Sequence, residues 1–438
     1  MLRVTASGFT GTALEYYDFF LYGTASALVF GPLFFPSYSP LAGTLASFAT
    51  FAVGFLARPI GSLLFGNLGD RVGRRKTLVY SLLLMGSATT LIGALPTFDT
   101  AGWLAPAMLV LLRILQGIAM GGEWGGASLM LVEHAPKKYR GLFGSTVQMG
   151  VPGGLMLSTV AVSLSDHYTG AAFETWGWRI PFLLSAVVFA VSMVIRLGVD
   201  ETPVFTALES EDRVDTPIRT LLTNNWRQLV LSAVIIAPGG VLFYLVSTYT
   251  VAYGTTVVGL DRSTMLDLIL AASAVYMVAI PVAGYLSDVI SRQAVLVFGC
   301  LAACAGGFAL FALIDTGSTV GAFLGITFAL AVIHSSLQAP QPAFLAAQFP
   351  ARVRMSGVAL SQSVSTSVVG GTAPLLATLF YSWTESAVLI SVWLAMWGIA
   401  GAAATLVLVR LAKASVPASK RTSRVQDDIG EEERADVS

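Results

Sequence analysis

About twelve runs of roughly 20 apolar residues, each long enough to cross the hydrocarbon core of a bilayer as a helix, follow one another along the chain with only short polar turns between them. They fall near residues 9–30, 41–66, 77–96, 103–132, 141–165, 178–198, 228–254, 263–287, 293–315, 319–343, 355–380 and 385–410. The expectation is an all-α membrane protein with twelve transmembrane helices in two six-helix bundles. Hydrophobic residues make up 55% of the 438 and charged residues 11%, which excludes an ordinary soluble domain.

The longest polar interruption sets the organisation. Residues 199–227 mix Asp200, Glu201, Glu209, Glu211, Asp212 and Asp215 with Arg213 and Arg219 and are too polar to span. They divide an N-terminal bundle, 1–198, from a C-terminal bundle, 228–411, and residues 412–438 read as a disordered cytoplasmic tail almost free of large apolar residues. Before the first apolar run Met1 to Thr10 carries only Arg3, and the run itself holds Glu15 and Asp18, which a signal-peptide core would not tolerate; the first helix is expected to stay attached.

Net charge is zero, but its distribution is lopsided. In a twelve-span arrangement Lys137, Lys138, Arg140, Arg213, Arg219, Arg227, Arg292, Arg352, Arg354 and the tail cations share one side, and little beyond Arg179 and Arg262 lies on the other. The excess of Lys and Arg marks the cytoplasmic face and places both termini there. Trp103, Trp176, Trp178 and Trp383 are expected in the outer interfacial belt and Trp226 in the inner one.

Two segments occur twice. The basic turn Gly66-Asn67-Leu68-Gly69-Asp70-Arg71-Val72-Gly73-Arg74-Arg75-Lys76 has a degenerate copy in Gly284-Tyr285-Leu286-Ser287-Asp288-Val289-Ile290-Ser291-Arg292. The turn Ala135-Pro136-Lys137-Lys138-Tyr139-Arg140-Gly141 is echoed by Phe349-Pro350-Ala351-Arg352-Val353-Arg354 before Gly357. Two motifs repeated in the same order indicate two related halves, the design of carriers with a central site.

Charges inside a span are costly and mark functional candidates. Five stand out: Glu15, Asp18, Arg58, Arg113 and Glu123. With the first helix running outward, Asp18 falls near mid-membrane and Glu15 about 5 Å closer to the cytoplasm. Arg113 and Gln116 on the fourth helix reach the same middle layer, and Glu123 and Arg58 lie lower. Asp18 is expected to pair with Arg113, and Glu15 and Glu123 to share Arg58. Asp18, Glu15 and Glu123 are the proton-coupling candidates, against the alternative that they form fixed ion pairs holding helices together. Arg113 either pairs with Asp18 or grips a substrate carboxylate through its planar fork.

Uncharged candidates for substrate contact are Tyr17, Gln116, Tyr244, Tyr249, His334, Gln338 and Gln341, with Arg58 and Arg113 as the cationic ones. Gly117, Gly121 and Gly125 repeat every fourth residue, which lets helix backbones approach closely. Pro152-Gly153-Gly154 and Pro238-Gly239-Gly240 are candidate kinks, and Cys300 and Cys304 read as two small packers.

The Gly66–Lys76 turn resembles the signature loop between the second and third helices of the major facilitator superfamily. Further stretches sharpen the match: Leu14-Glu15-Tyr16-Tyr17-Asp18-Phe19-Phe20, Ala57-Arg58-Pro59-Ile60-Gly61, Arg113-Ile114-Leu115-Gln116-Gly117, Gly121-Gly122-Glu123-Trp124-Gly125-Gly126, Trp176-Gly177-Trp178-Arg179 and Glu201-Thr202-Pro203-Val204-Phe205. Together they resemble the metabolite:proton symporter family, densely over the first 205 residues and thinly after the hinge. The resemblance implies proton-driven uptake of a small carboxylated or zwitterionic metabolite by alternating access in a bacterial inner membrane. It also implies a gate built from Gly66, Asp70, Arg71, Gly73 and Arg74, with Asp288 and Arg292 as the second copy, in which Asp70 faces the start of the eleventh helix near Met355 to Val358. Glu133 matches the family's inner latch, but Gln348 stands where an acidic residue is common before Phe349-Pro350.

A phosphate-cradling Gly-Lys-Ser/Thr loop is missing, and three scattered histidines make no metal cluster, so neither an ATP-driven pump nor a membrane enzyme fits. No cofactor and no metal is called for. The expected partners are a small organic substrate, protons and the lipid bilayer, without nucleic acid, and the expected working unit is a monomer. A proton-independent facilitator or sugar-porter-like carrier is the competing reading.

Overall fold

The computed structural model describes residues 2–36, 40–206 and 217–414. Linker residues Glu209, Glu211, Asp212, Arg213 and Asp215 and the tail beyond 414 lie outside the described residues. The first half holds α1 (Leu2–Ala25), α2 (Pro40–Val72), α3 (Arg74–Ala94), α4 (Leu104–His134), α5 (Lys137–Gly177) and α6 (Arg179–Leu197). After a short helix, Pro217–Asn224, the second half holds α7 (Trp226–Val258), α8 (Arg262–Val289), α9 (Arg292–Ile314), α10 (Thr319–Ala346), α11 (Ala351–Thr384) and α12 (Val388–Ala414). Eleven of these helices are long and apolar enough to cross a membrane; α1, which carries Arg3, Glu15 and Asp18, is not among them. Its 24 residues pack against α4, α5 and α6, which bury Glu15 and Asp18, leave Arg3 exposed near the helix start and make α1 the twelfth member of the fold.

Glycine decides how closely the first half can pack. A side chain at Gly117 would overlap the Gly54 carbonyl, one at Gly121 the Arg58 carbonyl, and one at Gly61 the Ile118 carbonyl, so α2 and α4 meet backbone to backbone. Breaks in the helices cluster at mid-chain positions. The fifth helix opens into a turn over residues 146–149, just before Pro152-Gly153-Gly154 rather than at it, whereas Pro238 sits inside an unbroken helix and the irregular turn comes later, at Leu245–Tyr249. Of the tryptophans, Trp103, Trp176, Trp226 and Trp383 are exposed as belt residues should be. Trp178 corrects its expectation: it is buried against Phe30, Phe34 and Phe182, with the Arg179 guanidinium 4.5 Å from its ring centre. Cys300 and Cys304 are free thiols packed between α9 and α12.

The halves close on each other at the end that carries the basic loops. Asp70 accepts the backbone N–H groups of Met355 and Ser356 at 3.0 and 2.8 Å, so a carboxylate of one half caps the start of α11 in the other. Arg74 lies 3.5 Å from Asp70 and 3.7 Å from Glu133, and donates to the Gly69 and Ala351 carbonyls. Glu133 is shared across the seam, with Arg354 3.1 Å away. The second copy works in reverse: Asp288 accepts from Gly141 and Leu142 at 2.8 and 2.9 Å and holds Arg292 at 2.9 Å. Gly66 lies against the Ser356 backbone, and Gly73, at φ +117°, starts α3 in a conformation that favours glycine. Arg71 does not fit the expected gate: it is exposed and outside these contacts. Gln348 bonds back to Phe344 of its own helix, so the latch is one carboxylate, Glu133, between two arginines. At the opposite end, among the described residues, no comparable packing joins the halves.

Glycine packing and the latch each make a prediction. Gly117→Val forces α2 away from α4, and overpacking of this kind costs about 1–3 kcal/mol; the purified protein should melt measurably lower, and an unchanged melting temperature would refute the close approach. Glu133→Gln leaves Arg74 and Arg354 short of a counter-charge at the seam. Spin labels on K138C and R352C, with Cys300 and Cys304 replaced, should move apart in that variant, whereas an identical distance distribution would show that the latch does not hold this end.

Candidate functional site

A stripe of residues one turn apart on α1 faces the interior of the first half: Gly11, Glu15, Asp18 and Tyr22. Asp18, fully buried, meets Arg113 of α4 at 3.2 Å and accepts hydrogen bonds from Gln116 at 2.5 Å and Thr89 of α3 at 2.9 Å. The same Arg113 nitrogen donates to the Gln116 side chain at 3.1 Å, and the guanidinium lies 4.3 Å from the Tyr22 ring centre and 4.9 Å from that of Phe51. Arg113 is therefore engaged through Nη1 and on its faces, while its Nε is unpartnered, and Gly54 leaves it the room.

Deeper toward the basic end, Glu123 is held by Arg196 of α6, with contacts of 2.6 and 3.1 Å in a two-pronged fork, and accepts from Ser81 at 2.8 Å. Arg196 also donates to the Leu78 and Ser7 carbonyls, and Gly11 passes so close that a side chain there would strike both charged groups. This corrects the expectation that Glu123 and Glu15 share Arg58. Glu123 is satisfied by a residue the sequence reading left aside, because Arg196 at the end of a span resembles any boundary cation.

Arg58 is then left with neutral neighbours: its Nη2 donates weakly to the Met120 sulfur at 3.6 Å and its guanidinium lies 4.4 Å from the Phe55 ring centre. Among the described residues, no carboxylate comes within ion-pair distance of it, and its Nε has no partner. Glu15, one turn from Asp18, has an unpartnered Oε2 and lies within electrostatic reach of Arg58 without touching it. Tyr244 of α7 approaches both from the other half.

The second half contributes neutral polar groups. His334 bonds through Nδ1 to the Tyr276 hydroxyl at 2.7 Å and stacks on Phe243, leaving Nε2 without a partner. Gln338 accepts from Gln148 of α5 at 3.0 Å, a bond across the seam. Gln341 is fully buried with both amide atoms unpartnered. Ring contacts Tyr16–Phe243, Phe19–Tyr244 and Phe55–Tyr244 join the halves at this level. Two expected contacts are misplaced. Tyr17 donates to the Pro181 carbonyl at 2.5 Å, inside the first half and away from the seam; Tyr249 packs with Tyr253 and Phe311 inside the second. Thr89, Ser81, Gln148 and Tyr276 gave no signal in the sequence, since an isolated hydroxyl or amide in a span is common.

Residues 4–225 match the family described as Sugar (and other) transporter, and residues 258–435 match Major Facilitator Superfamily. The chain is 39% identical over 384 residues to the inner membrane metabolite transport protein YhjE of Escherichia coli (strain K12), covering 86% of this chain and 87% of that one. It is 37% identical to the shikimate transporter of the same organism, with 86% of each covered, and 31% identical to the citrate-proton symporter of Klebsiella pneumoniae, with 94% and 91% covered. Among solved structures, the proton:xylose symporter XylE bound to 6-bromo-6-deoxy-D-glucose superimposes with a TM-score of 0.74 at 17% identity over 95% of this chain and 96% of that one, which shows a shared fold. With similarity of this extent over both halves, the chain belongs to the metabolite:proton symporter family of the major facilitator superfamily.

Proposed function

We propose that the chain is a secondary transporter, not an enzyme, which couples inward proton movement to uptake of a small polar metabolite bearing a carboxylate. The observation that carries this is the cluster of three acids and three arginines buried in the first half at the depth where the two halves meet: Asp18, Glu15 and Glu123 with Arg113, Arg58 and Arg196. Apolar residues would hold the helices together at no such desolvation cost, so retained charge points to a transport role. The names of the shikimate transporter and the citrate-proton symporter support a carboxylated cargo and proton coupling.

In this reading residues 1–198 and 228–411 rock as two units about the central site, tethered by the linker. The basic end is cytoplasmic with both termini, in a bacterial inner membrane, and the working unit is the monomer. The closed basic end then corresponds to a state shut toward the cytoplasm, with the central charges buried. Asp70, Arg74, Glu133 and Arg354, with Asp288 and Arg292, hold that state and must release for cargo to leave inward. A proton arriving at Asp18 loosens its pair with Arg113 and passes to Glu15 one turn away.

Asp18→Asn removes the counter-charge of Arg113, a loss of about 3–5 kcal/mol for a buried pair. Reconstituted vesicles bearing this variant should fail to concentrate labelled shikimate or citrate under an acid-outside gradient while still exchanging them, with the folded state checked by gel filtration. Wild-type accumulation that persists after an ionophore collapses the gradient would overturn the symport reading in favour of a proton-independent carrier.

A further inference from the structure

Of the three acid–arginine couples formed by Asp18, Glu123 and Glu15 with Arg113, Arg196 and Arg58, two are closed and one is open. Asp18–Arg113 and Glu123–Arg196 are in contact at 3.2 and 2.6 Å and their carboxylates accept further hydrogen bonds. Glu15 and Arg58 face each other without contact, although Glu15 is only 4% exposed and Arg58 only 6%. Glu15 keeps an unpartnered Oε2, and Arg58, unlike Arg113 and Arg196, has no carboxylate within ion-pair distance among the described residues. Two opposite charges left apart in a low-dielectric interior give up most of the attraction that offsets their desolvation.

We propose that this open couple is where the substrate carboxylate and the transported proton are taken up together: the carboxylate seats on the Arg58 guanidinium, and the proton on the Glu15 carboxyl. The inference rests on the symport reading and names the step at which cargo and proton become linked. Arg113 is a poor seat for a carboxylate, because Asp18, Gln116 and two aromatic faces already surround it. Arg58 has the Phe55 face and the Met120 sulfur beside it but no carboxylate or amide among its contacts, and Tyr244 brings the second half to it. An arriving carboxylate neutralises Arg58 and removes the positive charge that balanced Glu15.

The other groups facing Glu15 offer it no replacement. Asp18 and Tyr16 lie on its own helix, Glu123 on α4 and Tyr244 on α7, and both carboxylates are committed to other arginines. A proton on Glu15 restores the balance. The open couple sums to zero charge before binding, and protonated Glu15, cationic Arg58 and the anionic substrate sum to zero after it, one proton per carboxylate. The unpartnered His334 Nε2 and Gln341 amide remain for the uncharged part of the cargo, which suits hydroxyls on a monocarboxylate. A zwitterion would instead place its own cation beside Glu15 and bring no proton.

The test is calorimetric binding to the purified full-length protein in detergent, repeated in buffers of different ionisation enthalpy, with three probes: shikimate, its methyl ester and glycine betaine. Shikimate should bind with uptake of close to one proton, and its affinity should rise by up to about tenfold per unit fall in pH while free Glu15 is ionised. The ester should not bind. Glu15→Gln should bind shikimate with no proton uptake and no pH dependence, and Arg58→Gln should weaken it by roughly 30-fold or more.

Equal binding of ester and acid overturns the seat on Arg58, as does binding of none of the probes. Betaine binding that takes up no proton and is lost in Glu15→Gln overturns the proton step, as does proton uptake that survives in Glu15→Gln. If Arg58→Gln does not fold, the proton count in Glu15→Gln still decides. Because binding in detergent needs no gradient, one proton taken up per shikimate by a protein that fails to accumulate it in vesicles would refute symport and leave the seat standing.

Discussion

An ion in an apolar interior must be matched there, and this one requirement arranges the first half of the molecule. Each buried arginine lies where an acid from a different helix, or a ring face, meets it: Arg113 between α4 and α1, Arg196 between α6 and α4, Arg74 between α3 and the ends of α2 and α4. The guanidinium groups are wide, and the helices stay close only because glycine stands opposite them. Gly54 faces Arg113, and Gly11 faces Arg196 with Glu123. Packing and electrostatics are thus the same constraint in two forms, and a side chain added at Gly11 would displace a charge rather than merely crowd a core.

The duplicated architecture uses that constraint unevenly. Asp70 and Asp288 perform matching tasks, each capping a helix start in the opposite half, so the seam is held by two related carboxylate-to-backbone contacts. The ion pairs built around them differ. The first-half copy is reinforced by Arg74, Glu133 and Arg354, and Glu201 from the linker accepts from the backbone of Arg74 and Arg75 at the start of α3. The second-half copy has, among the described residues, only Arg292, because Gln348 is neutral and turned onto its own helix. A seam with one strong and one weak side opens by pivoting more readily than by parting evenly.

Much of this was legible in the sequence for a plain reason: spans, basic turns and intramembrane charges are rare enough that each carries information. The Asp18–Arg113 pair and the seat of Asp70 on Met355 and Ser356 follow from counting helical turns along α1 and α4 and from the family loop. The partner of Glu123 did not follow, since depth alone cannot choose between two arginines, and Arg196 reaches it only because Gly11 clears the path. Tyr17 was misassigned because its neighbours in the chain, Tyr16 and Asp18, face functional surfaces; one step around a helix turns a side chain by about 100°, here toward Pro181. Trp178 was misread in the same way, since aromatic residues at a helix end serve a belt or a core equally well.

The division of charge between the halves has a consequence for how such a carrier changes its cargo. At the central level every buried ion belongs to α1, α2, α4 or α6, while α7, α8 and α10 offer Tyr244, Tyr276, His334, Gln338 and Gln341, all uncharged. Replacing a neutral hydrogen-bonding group costs little compared with breaking a buried ion pair, about 0.5–1.5 kcal/mol against 3–5. Cargo shape can therefore be re-specified in the second half without disturbing the ion pairs of the first.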